Sequence, residues 1–126
     1  MISGLSPDES GAVIKRLSHD AIELTLDRVA TAIRSATKAP GAIAIGRLRV
    51  FVDSCADRTT GPAPLGASPE ILGTAVTLQY PLMQLEQFLR GEDCDIGDVA
   101  RAELYLSFAR YHLWKLEHLL RERASA

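Results

Sequence analysis

Cysteine is scarce in this chain. The two residues, Cys55 and Cys94, stand at a spacing that matches no metal or redox motif. They are expected to be free thiols, because disulfides are rare in a reducing compartment. Lysine is scarce too, with three residues against eleven arginines. No basic block is available to neutralise a phosphate backbone. Arg34, Arg47, Arg49 and Arg58 lie among the acids Asp27, Asp53 and Asp57, and the net charge is −2. A nucleic-acid partner is therefore disfavoured.

Long apolar runs are missing as well. Charges interrupt every helical stretch well short of the roughly 18 residues a membrane span requires. The opening Met1-Ile2-Ser3-Gly4-Leu5 has no basic segment followed by an apolar run, so no secretion signal is expected. The expectation is a cytoplasmic protein with no membrane contact.

The signatures of catalysis are equally thin. There is no Gly-x-Ser-x-Gly, no Walker loop and no Rossmann Gly-x-Gly-x-x-Gly. The glycines of GPAPLG at 61–66 come with prolines, which remove the amide donors a phosphate cradle uses. No Glu-x-x-His is present, as a di-iron bundle would need on two helices. The acidic turn from Glu92 to Asp98 brushes against a calcium loop. Counted from Asp93, however, Gly97 comes fifth rather than sixth, and Leu104 stands where the twelfth-position Glu belongs. His112 and His118 are six apart on one helix and point away from each other. No metal and no cofactor are expected.

What is present is helix-forming material. Ala and Leu supply 17 residues each, against 21 for Val, Ile and Thr together, which favours helix over strand. The 47% hydrophobic and 24% charged fractions describe a globular chain, and its length fits one domain over 1–126.

Ser6-Pro7-Asp8-Glu9 reads as a helix start with an N-cap serine and a first-turn proline. A helix over about 7–37 follows, which Ser18 would break in two by acting as a second cap. Pro40-Gly41 reads as its stop. In 41–56, Ala44, Leu48, Phe51 and Cys55 line up on a helix, whereas Leu48, Val50 and Val52 alternate as on a strand. DRTTGPAPLGA at 57–67 reads as a loop. Ser68-Pro69-Glu70 restarts a helix over 69–90, with the seam Ile71, Ala75, Leu78, Leu82, Leu85 and Leu89. Pro81 falls outside that seam and predicts a bend near 77–81, and Gly91 ends the helix. The last helix covers 95–123, capped by Asp95. Its seam is Val99, Ala102, Leu106, Ala109, Leu113, Leu116 and Leu120.

The resulting expectation is an all-α fold of four or five helices, a mostly antiparallel bundle with a long C-terminal helix. The alternative is α+β, with a hairpin from about 43–53 and 71–80.

The C-terminal helix has more apolar surface than one seam uses. Leu104, Phe108 and Tyr111 form a second stripe, extended by Tyr105 and Trp114. A helix apolar on two sides is either central in its own fold or shared with another chain, and aromatics are favoured interface anchors. The first functional reading is a non-catalytic interaction or assembly module, not an enzyme, forming a homodimer or binding a protein partner here. Glu103, Arg110 and Glu117 flank the seam and would either pair with an antiparallel partner or face solvent. The second reading is a small-ligand-binding domain or small helical enzyme. Its site would involve Arg47, Arg49, the 57–67 loop and His112.

Overall fold

The computed structural model describes residues 17–56 and 69–125. Those residues contain four α-helices and no strand: α1 (His19–Arg34), α2 (Ala39–Ala56), α3 (Pro69–Arg90) and α4 (Val99–Ser125). The all-α expectation holds, and the hairpin is corrected. Both of its segments, 43–53 and 71–80, are helical. The strand reading required Leu48, Val50 and Val52 on one face, yet Leu48 and Val52 are buried while Val50 is exposed. Only a helix separates them in that way.

Local chemistry sets the boundaries. Ser18 is the N-cap of α1, its hydroxyl oxygen accepting from the Ala21 amide at 3.1 Å and satisfying one free donor of the first turn. The expected start at Ser6-Pro7 lies outside the described residues, as do Ser68 and the 57–67 loop. Helix α1 ends at Arg34, earlier than expected, with Ser35 as its C-cap. Pro40-Gly41 does not stop a helix. The pair sits in the first turn of α2, where a proline lacks nothing because first-turn amides have no helical acceptor. Gly91 closes α3 as expected. At φ 74° it lets its own amide reach Phe88 O and the Glu92 amide reach Gln87 O, a Schellman ending.

Two further expectations are corrected. Pro81 is buried inside α3 rather than outside its packed side. Asp95 does not cap α4. Asp98 does, its Oδ1 accepting from the Arg101 amide at 2.9 Å. Asp95 is held elsewhere, for Tyr80 donates its hydroxyl to the carboxylate and the Asp95 amide donates to Gln84 Oε1 at 2.6 Å.

Each helix packs chiefly on two others: α1 on α2 and α4, and α3 on α2 and α4. Polar contacts record the direction of these pairs. Glu23 meets Arg110 and Arg34 meets Glu103, so positions rise along α1 while they fall along α4. Arg49 meets Glu86 and Asp53 meets Gln79, the same reversal between α2 and α3. All four helices feed one apolar cluster, with Ile22, Leu26 and Ile33 from α1 and Ile45, Leu48 and Val52 from α2. Leu78, Leu82 and Leu85 come from α3, and Leu106, Leu113 and Leu116 from α4. Both predicted seams are buried, with Val99 half-buried at the edge.

Candidate functional site

The outer side of α4 is where unexplained surface collects. Its inner side is committed to the core through Ala102, Leu106, Ala109, Leu113, Leu116 and Leu120. At 100° per residue, Leu104, Phe108 and Tyr111 then fall on the opposite side. They are 69%, 44% and 62% exposed. Positions four and three apart are neighbours on one helix face, so Leu104, Phe108 and Tyr111 form a continuous apolar strip.

The neighbouring residues frame this strip. His112 is half-buried and stacks on Phe108 with ring centroids 4.2 Å apart, while Tyr111 meets it edge-on at 5.0 Å. Its Nδ1 lies 3.0 Å from the Phe108 carbonyl, a contact within the helix. On the α3 side, Tyr105 is half-buried against the core and its ring lies 6.4 Å from that of Tyr80. The Tyr80 phenol is pushed up from 10.0 to about 12, first because it donates to the Asp95 carboxylate, with burial and the same negative charge adding to the effect. On the α1 side, Trp114 donates its indole N–H to Glu23 and lies 5.8 Å from the His19 ring. The five aromatic and aliphatic residues expected as an interface thus divide. Leu104, Phe108 and Tyr111 stand outward, whereas Tyr105 and Trp114 are tied to α3 and α1.

The flanking charges are engaged within the chain. Arg34 holds Glu103 through two nitrogens, one at 2.9 Å. Arg110 holds Glu23 at 2.6 Å, and the buried Glu117 lies 3.1 Å from the Arg121 guanidinium. None of the three expected flanking positions is left facing outward with its charge uncompensated.

The residues of the ligand reading are not gathered. Arg47 is exposed on α2. Arg49 is 2.6 Å from Glu86, a carboxylate that Arg90 also holds at 2.7 Å. Burial pushes the Glu86 carboxyl up, but the hydrogen bonds and charges of the two arginines outweigh it and leave it below its ordinary value. His112 stacks on the outer side of α4, and α2 and α4 are not principal neighbours. The 57–67 loop lies outside the described residues.

A shallow groove of about 440 Å³ opens where α1 turns into α2, lined by Asp27, Arg28, Thr31, Ala32, Ser35, Thr37 and Pro40. It brings no histidine or cysteine together. Among the described residues no group of three or more His, Cys, Asp or Glu converges as a metal site would require. None of the described helices is long and apolar enough to cross a membrane.

The fold and its surface therefore define an all-α protein with an outward apolar strip on its longest helix. Comparison with protein-family models, curated proteins and solved structures finds no match to the chain.

Proposed function

We propose that the chain is a non-catalytic assembly module, a single helical domain packed as a mostly antiparallel bundle, which pairs with a second copy through the outer side of α4. One observation carries the reading. Leu104, Phe108 and Tyr111 stand contiguous and exposed on a helix whose other side is already core. Water contact with such a strip is unfavourable, and covering it is worth roughly 25 cal/mol per Å² before the costs of association. Scattered apolar residues need no explanation, but a contiguous patch calls for an occupant. A second copy meets the need most simply, since a two-fold contact asks one surface to match only itself.

The test is sedimentation velocity, with light scattering, across micromolar to submillimolar protein. A dimer is expected, and Phe108→Glu with Tyr111→Glu is expected to convert it to monomer while leaving the helical circular dichroism intact. A monomer at every concentration overturns the reading. So does loss of helix in the double variant, because the strip then belongs to the core of the monomer.

A further inference from the structure

The aromatic residues of α4 fall at 105, 108, 111 and 114, each three residues after the last. In a helix such a row does not run along the axis. It is an i±3 ridge inclined at about 45° to it. Here it crosses the outer side of α4 from Tyr105, beside Tyr80 of α3, through Phe108 and Tyr111 to Trp114, which is bonded to Glu23 of α1. Tyr80, 47% exposed, extends the apolar surface sideways onto α3, and Trp114, 41% exposed, extends it to the edge of α4 that faces α1.

The charged side chains that directly bracket the strip, by contrast, are both cationic, and the next exposed ones on that side, His118 and Glu122, contact each other at 3.3 Å. Arg101 and Lys115 are both exposed on α4 and bracket Leu104, Phe108 and Tyr111. The apolar strip between them runs from Leu104 to Tyr111, seven helical rises or ~10 Å at 1.5 Å per residue. Lengthwise antiparallel pairing about its middle would set Arg101 of one copy against Lys115 of the other. Lengthwise parallel pairing would set Lys115 against itself. Like charges so placed oppose association.

From these two observations we infer that two copies pair with α4 crossing α4 at a steep angle, ridge beside ridge, on a two-fold axis between Phe108 and Tyr111. This rests on the self-association proposed above. Packing one i±3 ridge beside another gives a near-perpendicular crossing, which keeps the aromatic centre in contact and carries the cations apart. It also lets each helix reach the sideways surface at Tyr80 and Trp114. With large side chains offering about 150–250 Å² each and the exposures above, the face presents on the order of 500 Å² per copy. Both copies together just reach the ~1,000 Å² of a specific contact, so the dimer dissociates on dilution.

Cysteine cross-linking on the full chain tests the crossing, with the parent chain under the same short bismaleimide as control. Phe108→Cys and Tyr111→Cys are each expected to give covalent dimer. Lys115→Cys alone, and Lys115→Cys mixed with Arg101→Cys, are expected to stay at the parental level. Efficient linking of Lys115→Cys to itself, or to Arg101→Cys, overturns the crossed geometry while scattering still reports a dimer. Monomer by scattering removes the self-association reading itself. Lys115→Glu, at an exposed position, gives a second readout that needs no cross-linker. Less than a threefold change in the dissociation constant is expected, and a tenfold tightening overturns the crossing because it places a cation opposite.

Discussion

Alanine at Gly41 and alanine at Gly73 should move stability in opposite directions, although both replace a helical glycine by a better helix former. Helix propensity alone favours each change by about 0.5–1 kcal/mol. Gly73 is exposed on α3, and a Cβ there meets nothing within 4 Å, so it should gain that amount. At Gly41 the α2 backbone lies close against α1. A Cβ built there would stand 2.3 Å from Ala32 Cβ and 3.3 Å from Leu89 Cδ1. Leu89 can rotate away, but the Ala32 methyl cannot move without α1, so the overpacking belongs near the upper part of the usual ~1–3 kcal/mol. Net of propensity, Gly41→Ala should lose about 2 kcal/mol. At ~4 °C per kcal/mol for a chain of this size, that is a fall of about 8 °C, against a rise of about 2–4 °C for Gly73→Ala. Thermal unfolding by circular dichroism at one fixed protein concentration reads both, since self-association would otherwise shift the midpoint. Adding Ala32→Gly to Gly41→Ala should restore part of the loss, with a coupling of about 1 kcal/mol or more. A rise in midpoint for both single variants would refute the close approach of α1 and α2.

Four further outcomes follow from named contacts. Glu86 sits below its ordinary value of 4.5, so its contribution to stability is complete above that pH and is lost as pH falls through the folded value. Glu86→Gln should therefore flatten the acid limb of a stability-against-pH curve, and an unchanged limb would deny the pairing with Arg49 and Arg90. Trp114 is the sole tryptophan, so Glu23→Ala, which removes the acceptor of its indole N–H and the partner of Arg110, should alter its fluorescence and lose about 1 kcal/mol; an unchanged spectrum would count against that contact. Asp98→Ala should cost about 1 kcal/mol as an N-cap, while Asp95→Ala should bring the Tyr80 phenol, read by ultraviolet titration, down from about 12 toward 10.0.

Much of the architecture was legible because helical spacing repeats along the chain. The seams 71–89 and 99–120 are long enough that no other period fits them, and all of their residues but the half-buried Val99 are buried. Residues 42–56 were ambiguous because Val50 and Val52 suit either state locally. The choice was made by which residues the other helices cover, and Val50 is left in water. The cap of α4 was misplaced for a similar reason. Asp95 and Asp98 both suit the role within three residues of each other, and the contacts of Asp95 with Tyr80 and Gln84 on α3 decide it. The apolar surplus on α4 was legible as composition. That Glu103 and Arg110 are held by α1 was not, because it depends on α1 lying beside α4, a matter of topology rather than spacing.

That pairing bears on the contact proposed for the outer side of α4. Had Glu103 and Arg110 been unpaired, they would border the strip with one charge of each sign and could select a partner by charge. Held by α1 instead, they leave a surface whose apolar centre is aromatic and whose ends, Arg101 and Lys115, are both positive. In the proposed dimer such a surface would select by shape and by what it repels rather than by salt bridges across the contact. Weak salt dependence of the dimer then follows for a crossed pair. Two lengthwise copies would bring four cations face to face, and their dimer would tighten as added salt screened the repulsion. Sedimentation at 50 and 500 mM salt separates the two, and a several-fold tightening at the higher salt would place the cations opposite one another.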